Sequence, residues 1–264
     1  MLPVARHDAI VTLVNGAHTV STDELAGRLG VSLETVRRDL ALLEGRGEIR
    51  RVHGGAASVT DRRTGEEPSF SERSVTHHAA KTSLGGIAAG LIEAGQTVVI
   101  DIGTTAVEVA RAIAANFRGT VVTSSLLVAA ELARRPRVEV LVSGGRVRGG
   151  DLACSNAHAK ALFSDLYADI AFVSSGGVDA TAGLTDYHLD EVDVRRTVIA
   201  NSARSYVLAD SSKMDHVAPH RVCGLEAVSG VITETRASPA VMAVIRDAGG
   251  VILSAHDVAE GATT

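Results

Sequence analysis

The sequence predicts an α/β protein of two domains: a small unit of short helices with a hairpin, then a larger domain around a mainly parallel sheet. Three observations carry this. Up to residue 58, apolar residues at helical spacing are bounded by hydroxyl caps and glycines. The stretch VTDRRTGEEPSFSERS is polar, charged and nearly free of aliphatic residues, as a linker is. Beyond it, apolar runs of strand length alternate with helical stretches, the pattern of a sheet covered on both faces. The expected limits are 1–58 for the first domain, 59–75 for the linker, 76–256 for the second domain and 257–264 for a tail.

In the first domain, Ile10, Leu13 and Val14 share a helical face, and Asn15-Gly16 is expected to end that helix. Ser21 and Glu24 have the spacing of a capping box, in which the hydroxyl accepts the Glu24 amide and the carboxylate reaches back. The helix through Leu25, Ala26 and Leu29 stops at Gly30. Ser32 caps the next, which runs to about Glu44 and is closed by Gly45 and Gly47. Leu33, Val36, Leu40 and Leu43 form its buried stripe, and Glu34, Arg37, Arg38 and Ala41 face the other way. GEIRRVHGGAAS then reads as a hairpin carrying Arg50, Arg51 and His53.

In the second domain, TVVIDIGTT is a buried strand ending in a turn, followed by a helix through Val107, Ala110 and Ile113. GTVVTSS repeats that form before a helix over 127–133. VEVLVSGG, ADIAFVSSGG, SYVLADSSK, AVSGVITE and GGVILSA are further strands. EVDVRRTVIANSA and SPAVMAVIRDAG are helices.

Composition narrows the class. With 45% hydrophobic residues, 3% aromatic and no Trp, the core must be mostly Ala, Val, Leu and Ile. Cys154 and Cys223 have no paired spacing and read as reduced thiols. MLPVARHDAI holds no apolar run of signal-peptide length, and no segment reaches the roughly 18 apolar residues of a membrane span, so a cytoplasmic protein away from membranes is expected. His216 and His220 are four apart beside Asp215, but Pro219 speaks against one helix presenting both, and neither metal nor cofactor is expected.

The formal net charge is −5, yet Arg37, Arg38, Arg46, Arg50 and Arg51 crowd together. A solvated helix face would account for paired arginines alone. Here, capped helices joined through Leu29-Gly30-Val31-Ser32, outward arginines and a basic hairpin follow in order, as in a helix-turn-helix that binds DNA. Residues 6–57, including STDELAGRLGVSLETVRRDLALLEGRGEIRRVHGGAAS, resemble the N-terminal winged helix-turn-helix of DeoR-type bacterial transcription regulators. The resemblance implies a recognition helix holding Ser32, Glu34, Thr35, Arg37 and Arg38, and a wing with Arg51 and His53, against double-stranded operator DNA.

DIGTT leads from a buried strand through Gly103 and two hydroxyls into a helix, a form that suits a phosphate. Asp101 would repel that phosphate and is better placed to accept from sugar hydroxyls or to orient a cation. TSS and SGG, the latter followed by Arg146, and ADSSK ending in Lys213 stand at other strand ends, where ligands bind in open parallel sheets. Each motif alone reads as a turn or cap. IDIGTT, VVTSSL, SGGRVR, GLT, EVDVRRTVI and LADSSK resemble the DeoR C-terminal sensor domain, similar in fold to ribose-5-phosphate isomerase and CoA-transferase-like proteins. By that resemblance Asp101, Gly103, Thr104, Thr105, Thr123, Gly144, Gly145 and Lys213 face a phosphorylated sugar-like effector, with Ser124 and Arg146 in the same turns. Ser124 departs from the family's usual Asn, Met214 from its usual aromatic or aliphatic residue, and Glu234 from its usual Asp. The expected protein is a repressor of a carbohydrate-metabolism operon, a homodimer or homotetramer, and not an enzyme. The alternative is a sugar-phosphate isomerase or transferase-like enzyme.

Overall fold

A computed structural model describes residues 3–17, 19–52, 54–58, 67–234 and 238–254. The chain divides into two compact units, Met1–Arg63 and Thr64–Thr264.

The first unit runs α1 (Pro3–Ala17), β1 (Thr19–Ser21), α2 (Thr22–Leu29), α3 (Leu33–Gly45), β2 (Ile49–Val52) and β3 (Gly55–Ser58). Its strands form an antiparallel sheet in the order β1-β3-β2. Ile10, Val14, Leu25, Val36, Leu40, Leu43 and Ile49 close its core. Three local expectations change. Helix α1 continues through Asn15-Gly16 to Ala17, since one glycine costs a helix only about 1 kcal/mol. Leu33 opens α3 and stays 38% exposed, while Asp39 occupies the buried stripe. The Ser21 hydroxyl accepts the Glu24 amide at 3.1 Å, but the Glu24 carboxylate turns to Arg28 at 2.7 Å instead of reaching back.

The second unit begins with α4 (Phe70–Val75) and α5 (His78–Gly90). Next come β4 (Thr97–Ile100), α6 (Thr104–Ala112), β5 (Gly119–Thr123), α7 (Leu126–Leu132), β6 (Val138–Val142), β7 (Arg146–Arg148) and β8 (Ala153–Ser155). Then follow α8 (Ala157–Ser164), β9 (Ile170–Ser174), β10 (Gly177–Asp179), β11 (Gly183–Asp186), α9 (Leu189–Ala200), β12 (Ser205–Leu208) and β13 (His220–Cys223). The last elements are β14 (Gly230–Ile232), α10 (Pro239–Asp247) and β15 (Val251–Leu253). Seven strands make one parallel sheet in the order β15-β14-β12-β9-β4-β5-β6. Successive strand residues feed opposite layers: Val98 and Ile100 pack with α5, α6 and α7, and Val99 with α8, α9 and α10.

The predicted α/β sheet is therefore present. Helix α4 falls inside the stretch read as linker; there Ser69 and Glu72 make both halves of a capping box. The antiparallel sheet β10-β11-β13 and the hairpin β7-β8 were not foreseen. Their strands of three or four residues are too short to show a period. Strand order grows outward from β4 in one direction and from β9 in the other. The crevice beyond the carboxyl ends of β4 and β9 is thus the topological switch point, where α/β sheets bind ligands.

Candidate functional site

In the first unit, Gly30 takes a left-handed φ of 65° and turns the chain between α2 and α3. Ser32 Oγ then accepts the Thr35 amide at 3.2 Å and contacts Thr35 Oγ1 at 2.9 Å, starting α3. Glu34, Arg37 and Arg38 are exposed along α3, and among the described residues the two arginines make no ion pair. The opposite face is pinned to α1. Buried Asp39 accepts from Arg6 Nε at 2.6 Å and Nη2 at 3.0 Å, and contacts His7 Nε2 at 3.0 Å. The Arg6 hydrogen bonds hold the Asp39 carboxyl below the ordinary carboxylate range. The wing is tied to the same helix, since the Arg51 amide donates to Glu44 Oε1 at 3.1 Å while the Arg51 side chain is exposed. His53 lies outside the described residues.

In the second unit, the turns at the ends of β4 and β5 differ in a way their sequences do not reveal. After β5, Thr123 Oγ1 accepts the Ser125 amide at 3.0 Å and Ser125 Oγ accepts the Val128 amide at 3.2 Å. Ser124 Oγ is held by Ser143 Oγ at 3.1 Å. That turn uses its hydroxyls to build itself, and Thr123, Ser124 and Ser125 are all buried. After β4, no side chain caps α6 at Gly103, whose φ of 100° brings the chain round with no Cβ in the way. Thr104 and Thr105 open α6 there without a side-chain cap.

Asp101 is not an unengaged acceptor. Its Oδ2 takes the Ser174 amide at 2.9 Å and Arg195 Nε at 2.6 Å. Arg195, buried on α9, also faces Asp186 at 2.8 Å and Glu191 at 3.7 Å. Burial opposes its charge, but the carboxylates of Asp101, Asp186 and Glu191 outweigh that and raise its pKa. Burial pushes Glu191 up to about 8 against the opposing pull of Arg195.

Three cations gather at the same sheet end. Lys213 follows the Asp210 turn, and among the described residues its Nζ makes no hydrogen bond or ion pair. Burial lowers its pKa, Asp210 counteracting and Arg73 reinforcing the shift. Buried Lys81 donates to the carbonyls of Arg73 and of Thr76, the latter at 2.7 Å, and is brought down to about 8, chiefly by burial. Arg73 Nη1 lies 4.0 Å from where a Cβ would stand on Gly103.

Gly144 and Gly145 form a left-handed turn, with φ of 67° and 103°. Arg146 beyond them is 70% exposed as a side chain and pairs with Asp190 at 2.6 Å. With Arg148, Tyr187, His188 and Glu191 it lines a cleft of about 330 Å³. The structure thus brings Gly103, Thr104, Thr105 and Lys213 to the switch point, encloses Thr123 and Ser124 in their own turn, and places Arg146 at the cleft. Arg6, Asp39, Arg73, Lys81 and Arg195 escaped sequence reasoning; for Asp39, Lys81 and Arg195 the signal available was a charged residue standing at a buried helix position.

His216 Nε2 sits 2.8 Å from Tyr187 Oη. Among the described residues no group of three or more His, Cys, Asp or Glu could hold a metal ion, and no helix is long and apolar enough to cross a membrane.

Two family descriptions match the chain: a DeoR-like helix-turn-helix domain over residues 6–62 and a DeoR C terminal sensor domain over residues 76–235. The chain is 31% identical over 242 residues to the HTH-type transcriptional repressor CsqR of Escherichia coli strain K12, covering 92% of each. It is 33% identical over 230 residues to the glycerol-3-phosphate regulon repressor of Haemophilus influenzae, covering 86% of this chain and 88% of that one. Among solved structures, ribose 5-phosphate isomerase A of Methanocaldococcus jannaschii overlaps 52% of this chain and 55% of its own, with a TM-score of 0.39 and 16% identity. That overlap is too partial to transfer anything.

Proposed function

The chain belongs to the DeoR family of transcription regulators, and from that premise we propose that it is a repressor of a carbohydrate-metabolism operon, released or recruited by a phosphorylated sugar-like effector. Ser32, Glu34, Thr35, Arg37 and Arg38 present α3 to the major groove, and Arg51 and His53 contact the same DNA beside it. Arg is suited to either task there, bidentate to guanine or clamped on phosphate. In this reading the DNA-binding domain ends near residue 58 and the sensor begins near residue 76. Paired operator half-sites call for a homodimer or homotetramer. The protein works in the cytoplasm, without cofactor or metal.

The observation that carries the effector site is the uncapped start of α6 at the switch point, with Lys213 Nζ unpaired among the described residues. Asp101 acts by orienting Ser174 and Arg195 around the ligand. Thr123 and Ser124 shape the neighbouring wall, and the Gly144-Gly145 turn leads into Arg146, which lines the cleft beyond. Of the acids an isomerase reading would use, Asp101, Glu191 and Asp210, the first two face Arg195 and the third accepts the Ser212 amide of its own turn, which favours binding over turnover. Selection of bound fragments from a genomic DNA pool tests the DNA half. Recovery of one discrete upstream sequence is expected; recovery without sequence preference would contradict it.

A further inference from the structure

Residues 67–76 lie at the switch point as a strap held largely by charge. Arg73 is its centre. Its Nε donates to the Pro68 carbonyl at 2.9 Å, Nη1 stands 3.0 Å from Glu67 Oε1, and Nη2 stands 3.5 Å from Asp151 Oδ2. Lys81 fixes the other end through the Arg73 and Thr76 carbonyls. The backbone of Arg73 is thus anchored independently of its side chain. Glu67 is shared: its Oε2 is 3.0 Å from His188 Nε2 and 3.8 Å from Arg148 Nη2.

The charge inventory here does not favour a simple anion hole. Glu67, Asp101, Asp151, Asp186 and Glu191 surround Arg73, Arg148 and Arg195 in one connected set of ion pairs. A phosphate arriving at Gly103, Thr104 and Thr105 finds Lys213 unpaired among the described residues but Arg73 already held by Glu67 and Asp151, so to reach that guanidinium it must displace an acid. Arg73 is the arginine beside that turn, and its planar fork fits phosphate as well as carboxylate, so an exchange keeps its hydrogen bonds.

Resting on the effector reading above, we propose that Arg73 is a direct ligand of the effector's phosphate and that it gives up Glu67 to become one. Effector and Glu67 then compete for a single guanidinium. Glu67 precedes α4 on the side that leads from the DNA-binding unit in sequence, so the exchange loosens the start of the strap whenever the site fills.

The test uses the full chain, titrated calorimetrically with inorganic phosphate and with glycerol 3-phosphate, together with amide hydrogen exchange. Glu67→Gln keeps the shape and removes the competing charge, so binding should tighten roughly three- to tenfold. Arg73→Gln should lose binding, and Arg73→Lys, a point charge without the fork, should fall between. In the wild type, phosphate should speed amide exchange over residues 67–72. A strap that is merely structural predicts weaker or unchanged binding in Glu67→Gln, and that result overturns the exchange. Wild-type affinity in Arg73→Gln, or in Arg73→Lys where the Gln variant does not fold, overturns Arg73 as ligand. A wild-type protein that binds neither probe nor any other sugar phosphate sinks the effector reading itself, a separate outcome.

Discussion

Arg37 stands exposed on α3 while Asp39, two positions on, fastens the buried face of that helix to Arg6 and His7 of α1. Arg37→Ala should therefore weaken operator binding by about 1–3 kcal/mol without shifting the thermal midpoint, as fluorescence anisotropy and calorimetry would show. Unchanged affinity would remove Arg37 from the DNA surface. Lys213→Ala should leave DNA affinity intact and abolish the effector response, measured on the same labelled operator; a retained response would displace Lys213 from the pocket. Glu191 gives the pH dependence. Its folded pKa, raised by burial to about 8, lies above its ordinary value of 4.5. Its contribution to stability is thus present below that ordinary value and lost as pH rises through about 8. Urea midpoints should show Glu191→Gln gaining on the wild type between pH 5 and pH 8; a constant difference would contradict the shift. The outward arginines were legible because their pattern is local. Asp39 and Asp101 were not legible in their actual roles, because their arginine partners are 33 and 94 positions away in sequence.

At the scale of elements, hydrophobic periodicity and caps located all seven parallel strands and the helices α1, α2, α3, α6, α7, α9 and α10, but not α5 or α8. What stayed hidden were pieces whose reason to exist is tertiary: α4, the β7-β8 hairpin and the β10-β11-β13 sheet. The turn after β5 shows the same limit. TSS and GTT look alike as sequences, yet one completes its own hydrogen bonds and the other starts a helix uncapped. The packing of α5 on α6 is equally specific. A Cβ on Gly85 would stand 2.6 Å from the Glu108 carbonyl carbon and 2.7 Å from its oxygen. Gly85→Ala should cost about 1–3 kcal/mol by forcing the helices apart, read as a lower thermal midpoint of the second unit. An unchanged midpoint would mean the helices pack less closely than described.

For the whole molecule, fold class and family follow from local patterns spread along nearly the entire chain, while the electrostatics of the site follow from the topology that brings β4, β9, α6 and α9 to one sheet end. Any coupling between effector and DNA is limited to the effector's preference for one state over the other, and it is reciprocal. In the proposed function, one chain both binds an operator and is switched by a sugar phosphate. The most direct measurement is binding to the DNA upstream of the chain's own operon, titrated first with salt and then with a panel of sugar phosphates. Selective binding with a steep salt slope and a large change in affinity with one compound is expected. Shallow, unselective binding that no sugar phosphate alters would contradict it.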